Sequence, residues 1–120
     1  MHDTTRQNAG KNAETLAAEW LAGRGLVLVE RNFRVRGGEI DLVCRDGKRL
    51  VFVEVRLRRN ADFGGAAESI TASKRRRLLL AAQHYLLRHP RTDARFDCLL
   101  LDGLDPQRIE WIQNAFSADD

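Results

Sequence analysis

The spacing of apolar residues divides the chain into segments of period 3.6 and segments of period two. Ala13, Leu16, Ala17, Trp20 and Leu21 recur at helical spacing from Gly10 to Ala22, with Gly23 and Gly25 as the stop, so a first amphipathic helix is expected there. Leu26 to Glu30 reads as a strand, followed by the basic stretch Arg31–Arg36 and the pair Gly37-Gly38. Ile40–Cys44 and Leu50–Val55 are apolar-rich runs on either side of Asp46-Gly47-Lys48, the pattern of a β-hairpin. A second helix is expected from Thr71 or Ser73 to about His89, ended by Pro90, with Leu78, Leu79, Ala82, Tyr85 and Leu86 covering the sheet. Arg95–Leu101 and Arg108–Gln113 complete the pattern as two further strands. The order is α-β-β-β-α-β-β, an α/β fold in one domain over 10–116 with flexible ends at 1–9 and 117–120. No internal repeat interrupts it.

The hairpin carries the chemistry. With Gly47-Lys48 as the loop, Asp41 faces Glu54 and Glu39 faces Arg56; with Asp46-Gly47 as the loop, Asp41 faces Phe52 and Glu54 lies on the diagonal. Both registers put Asp41 and Glu54 on one face, because strand side chains alternate. The other face would hold Ile40, Leu42, Cys44, Val51, Val53, Val55 and Leu57. Opposed side chains in such a pair stand about 4.5 to 5.5 Å apart, where like charges repel. Two offsets are open: a solvated network in which Arg36, Arg56 or Arg58 neutralises the acids, or a hard divalent cation bound by carboxylate oxygens.

Charge changes the picture by its placement. The 120 residues carry 20 Lys+Arg against 17 Asp+Glu, a net of only +3. The cations cluster at Arg56, Arg58, Arg59 and at Lys74–Arg77, while 102–120 is rich in acids. Lys74-Arg75-Arg76-Arg77 falls in the first turn of the second helix, where the helix dipole already disfavours cations by about 0.3 to 1 kcal/mol each. A phosphate bound there reverses that cost; the alternative is that the side chains turn outward and pair with Glu68. The Gly-rich segment Asn60–Ala67 is expected as a mobile loop beside the acidic end of the sheet.

Several function classes drop out. His84 and His89 do not share a helix face, which argues against a zinc site, and there is no P-loop, dinucleotide fingerprint or Ser-His-Asp series. Cys44 and Cys98 sit in apolar runs without a C-x-x-C partner and read as reduced core residues, a disulfide between strands being the lesser alternative. No apolar stretch has the length of a membrane span and the N-terminus lacks a signal-peptide core, so a soluble cytoplasmic protein is expected.

The segments Gly38-Glu-Ile-Asp-Leu42, Phe52-Val-Glu-Val-Arg56, Phe63-Gly64, Lys74 and Asn114-Ala-Phe116 resemble the YraN-like family over about residues 8–116. The element order and the acids resemble the restriction-endonuclease-like PD-(D/E)xK nuclease fold, a three-layer arrangement around a mixed sheet that archaeal Holliday-junction resolvases share. The resemblance implies a Mg²⁺- or Mn²⁺-dependent endonuclease acting on DNA, branched or structured DNA included, and working as a homodimer. It implies that Asp41, Glu54 and the Val55 carbonyl bind the metal and that Glu14 on the first helix reaches the same site. Arg56 stands where the motif has lysine. A guanidinium stabilises an anion but sheds no proton near neutral pH, so a general base at that position is ruled out. The expectation is therefore a weak or substrate-restricted nuclease, in which either the metal alone activates the water or Lys74 takes over the lysine's part. Arg34, Arg36, Arg58, Arg59 and Lys74–Arg77 are the expected DNA-binding residues. The rivals are a DNA-binding module of the same fold without catalysis, and a protein-interaction domain.

Overall fold

A computed structural model describes the backbone over residues 5–58 and 71–117 and the side chains over 12–57 and 71–117. Its elements are α1 (Thr5–Ala22), β1 (Val27–Val35), β2 (Gly38–Asp46), β3 (Arg49–Arg58), α2 (Ala72–Leu86), β4 (Ala94–Asp102) and β5 (Ile109–Phe116). The five strands form one sheet in the order β1-β2-β3-β4-β5, antiparallel except for the β3–β4 pair. Two parallel neighbours need a crossover, and α2 supplies it.

Both faces of the sheet are covered. Ala13, Ala17 and Leu21 of α1 pack with Leu42, Cys44, Val51, Val53, Leu99 and Leu101. Leu78, Ala81, Ala82 and Tyr85 of α2 pack with Ile40, Val43, Leu50, Phe52, Cys98 and Leu100. The result is the expected α/β architecture with a mixed sheet between two helices. It also explains why β3 and β4 are nearly continuous apolar runs, as buried strands with both faces covered must be. Cys44 and Cys98 are free thiols and belong to different core layers, so they do not pair.

Several expectations need correction. β1 does not stop at Glu30 but continues through the basic residues to Val35, because an edge strand pairs through its backbone and tolerates outward Arg side chains. α1 begins at Thr5, ahead of Gly10. β5 runs on to Phe116. Ile40 packs under α2 and not with Leu42, and Leu57 is 41% exposed, so the single apolar face assigned to the hairpin is split. Asn60–Ala67, Phe63-Gly64 and Glu68 lie outside the described residues.

Gly38 sets the distance between α2 and the sheet. A Cβ there would lie 2.6 Å from the Arg77 carbonyl oxygen and 3.0 Å from the Ala81 nitrogen, both backbone atoms that cannot swing aside. Only glycine lets the helix lie this close to the start of β2.

Candidate functional site

The hairpin closes through Gly47-Lys48, with Asp46↔Arg49 as the last pair before the turn and Gly47 at φ 63°. This is the first of the two registers above. Its ladder runs from Asp46↔Arg49 to Leu42↔Val53 and would next bring Asp41 opposite Glu54. There the regular pairing gives way: the Val55 N–H donates to Asp41 Oδ2 at 2.9 Å. On the other side of β2, Asn32 adopts a left-handed φ of 53° between the pairs Arg31↔Leu42 and Phe33↔Ile40. Asp41 thus lies between a left-handed residue on β1 and the end of the regular β2–β3 pairing, at the point where Ile40 and Leu42 part into different layers.

The Asp41 and Glu54 carboxyls both sit above their ordinary range. Burial pushes the Glu54 carboxyl up to about 8, with the Asp41 charge and side-chain hydrogen bonding with Asp41 adding to it and Arg56 opposing. Burial also raises Asp41, against the lowering effect of the Val55 N–H and Glu54; Glu14 and Glu39 add repulsion. Two carboxyls in a desolvated corner cannot both ionise at low cost. Their donor set is all oxygen, the kind a hard divalent cation takes in place of a proton.

The surroundings are polar. Glu54 lines a cleft of about 40 Å³ with Glu39, Lys74 and Arg77, room for two or three waters. Lys74 and Arg77 reach it from the first turns of α2, whose N-cap is Thr71, its hydroxyl accepting from the Lys74 N–H at 3.2 Å. Glu39 is held by Arg34 at 3.5 Å and Arg77 at 3.6 Å. These pairs link two of the expected DNA-binding cations to the rim of the cleft.

Glu14 is held by the edge strand beside Asp41. Its Oε2 accepts from Asn32 Nδ2 at 3.1 Å and lies 3.7 Å from Arg31 Nη2, while its charge reaches Asp41 only at Coulombic range. Among the described residues no group of three or more His, Cys, Asp and Glu side chains is placed to hold a metal ion. The acidic corner offers two carboxylates. Arg36 is exposed in the β1–β2 turn, and Arg75 and Arg76 lie on the first turns of α2. Arg58 ends β3 opposite Asp102, its side chain outside the described residues, as is the whole of Arg59.

Asp97 escaped the sequence reading. It is fully buried, and its carboxylate accepts from Trp111 Nε1 at 2.9 Å, from the Asn114 N–H at 2.9 Å and from Arg95 Nε at 3.1 Å. Asn114 stands at φ 54° in an irregular stretch where the β4–β5 register shifts, and Phe116 beyond it stacks on Phe96 at 5.0 Å. The Asn114-Ala-Phe116 segment is thus a structural clasp on β4. An acid within the apolar run of β4 was the available signal, but its partners lie on another strand.

Comparison with other proteins places the chain. The description "Uncharacterised protein family UPF0102" matches residues 13–101. A UPF0102 protein of Dechloromonas aromatica is 64% identical over 119 residues, covering 99% of this chain and 96% of its own. One from Methylobacillus flagellatus is 55% identical, covering 91% and 96%, and one from Alcanivorax borkumensis 49% identical, covering 93% and 94%. The match takes in α1, the acidic hairpin, α2 and β4, and on these grounds the chain belongs to the UPF0102, or YraN-like, family.

Proposed function

We propose that the protein is a metal-dependent endonuclease that hydrolyses phosphodiester bonds in DNA. The observation that carries this reading is the meeting of Asp41 and Glu54 on adjacent strands, beside a cleft lined by Lys74 and Arg77. The PD-(D/E)xK resemblance points the same way. Asp41 and Glu54, with the Val55 carbonyl, would hold Mg²⁺ or Mn²⁺. Such an ion supplies Lewis-acid polarisation of a phosphoryl oxygen and a lowered pKa for water.

The chain's own groups do the rest. The Val55 N–H fixes the Asp41 carboxylate in the corner of the sheet. Arg56 lies close enough to Glu54 to offset part of its charge, and its guanidinium can stabilise charge growing on the phosphoryl oxygens. It takes no proton from the attacking water. Lys74, on the rim of the same cleft, would orient that water. In the net reaction the water oxygen bonds to phosphorus, the bond to one ester oxygen breaks, and the leaving alkoxide gains a proton.

A second reading, a DNA-binding module without catalysis, is favoured by Arg56 at the lysine position. The experiment that separates them is a titration of Mg²⁺ and Mn²⁺ against linear, flapped and four-way DNA. Cleavage that needs the metal and disappears in both Asp41→Ala and Glu54→Ala is the expected result. DNA binding without cleavage on any substrate or metal overturns the nuclease reading and leaves the module. Cleavage of equal rate in both variants marks a contaminant.

A further inference from the structure

The segment from α2 to the following turn is charged at its two ends and with one sign. From Thr71 to Thr92 there is no Asp or Glu, while Lys74–Arg77 lie at its start and Arg88 and Arg91 at its end. The first group borders the acidic corner. Of the second, Arg91 meets a different cleft, of about 570 Å³, lined also by Lys48 and Arg49 of the hairpin turn and by Asp46, Thr92 and Asp93. The Leu50 N–H donates to the Asp93 carbonyl at 2.8 Å and ties the hairpin to the α2–β4 connection, so this cleft is built from two fixed segments. Asp46 is neutralised by Arg95 at 3.2 Å. Lys48, Arg49 and Arg91 are exposed and form no ion pair among the described residues.

Cations after a helix C-terminus have an ordinary explanation in the helix dipole. It covers Arg88 and Arg91 but not Lys48 and Arg49, which come from a hairpin. With Asp46 held by Arg95, Lys48, Arg49 and Arg91 outnumber the one other acid of the cleft, Asp93, and leave a net positive charge that an anion would relieve.

Resting on the nuclease reading above, we propose that this cleft is a second phosphate-binding site, which holds the DNA duplex flanking the cut about half a helical turn away. The spacing fits. From Lys48 to Glu54, β3 rises about 3.3 Å per residue, or about 20 Å in all. The fifteen residues of α2 span a similar length at 1.5 Å each. At about 3.4 Å per base pair that separation is about six base pairs. A duplex is stiff over such a length and bridges the two clusters with little loss of freedom, whereas a single strand would have to be ordered. The cleft lining also offers cations and no aromatic ring, while single-strand grooves rely on rings for base stacking.

The test is duplex binding by the full chain in EDTA, so that cleavage plays no part, with the triple variant Lys48→Gln/Arg49→Gln/Arg91→Gln beside a proximal variant, Lys74→Gln/Arg77→Gln. On a 20-base-pair duplex the slope of log K against log salt should fall in magnitude by about 2 to 3 in the triple variant, roughly 0.9 per lost phosphate contact. On a single strand of the same length it should change by less than one. A melting temperature equal to wild type shows that the variant is folded. A triple variant that binds like wild type while the proximal one loses affinity overturns the second site and leaves the proposed function standing. Equal losses on single strand and duplex overturn the duplex assignment. A wild-type chain with no salt-dependent DNA affinity overturns both.

Discussion

Asp41 Oδ2 and the Val55 N–H are joined by a 2.9 Å hydrogen bond in the position that a backbone carbonyl would occupy in an unbroken ladder. The carboxylate therefore serves the sheet as well as any chemistry, and two substitutions separate these roles. Asp41→Asn keeps an oxygen for Val55 and should leave the urea midpoint close to wild type, while metal-dependent cleavage disappears. Asp41→Ala leaves a partly buried N–H unsatisfied, a loss of about 1 to 3 kcal/mol, offset in part by relief of repulsion with Glu54. In both variants NMR should find the Glu54 carboxyl titrating below about 8. A Glu54 titration unmoved by either change would disprove the coupling.

The upward shift of Glu54 makes stability depend on pH in a defined direction. Glu54 ionises near 4.5 in an ordinary setting but at about 8 in the folded chain. Between those values the unfolded carboxyl has released its proton and the folded one has not. The contribution is thus fully present below pH 4.5 and is lost as pH rises through about 8. In EDTA the melting temperature should fall across that window, and Glu54→Gln should flatten the curve. Mg²⁺ should stabilise the protein more at the upper end than at the lower, because metal binding must expel the proton.

Arg56→Lys tests whether the natural residue limits catalysis. A lysine can lose a proton when its pKa is depressed, and general-base assistance is typically worth on the order of 10² to 10⁴-fold. A gain on the order of 10²-fold in single-turnover cleavage, with duplex affinity little altered, is expected. No change would assign the lysine's part to Lys74, and Lys74→Met should then abolish cleavage.

Asp97 should behave as a structural acid. Replacing it by Ala leaves Trp111 Nε1, the Asn114 N–H and Arg95 Nε without their acceptor, with Asp46 as the remaining partner of Arg95, and breaking a buried charged network of this kind costs about 3 to 5 kcal/mol. Chemical unfolding measures the loss. Mg²⁺ should not restore it, whereas a metal ligand would show linkage between ion concentration and stability.

The hairpin was readable in the sequence because Gly47-Lys48 admits few registers and one of them aligns every apolar pair from Cys44↔Val51 to Leu42↔Val53. α2 was readable for a similar reason: Leu78, Ala82 and Tyr85 fall on one face and Thr71 caps the start. What escaped depends on partners distant in the chain. Arg31–Val35 reads as a basic loop until β2 lies beside it. The left-handed turns at Asn32 and Asn114 carry no glycine to announce them, and the reason for an acid at 97 is visible only once Trp111 and Asn114 fold back onto it. The convergence of Asp41 and Glu54 followed from strand alternation, but the engagement of Glu14 with Asn32 and Arg31 did not, since those contacts join a helix to an edge strand.

The close approach of α2 to Gly38 carries over to how function would be mapped. A saturation screen scored on activity would rank Gly38 among the intolerant positions, level with the acids, although it has no side chain to meet a substrate. Any larger residue would wedge the helix outward and carry Lys74 and Arg77 away from Glu54. Its contribution is clearance, and a sensitivity map alone would mistake that for chemistry.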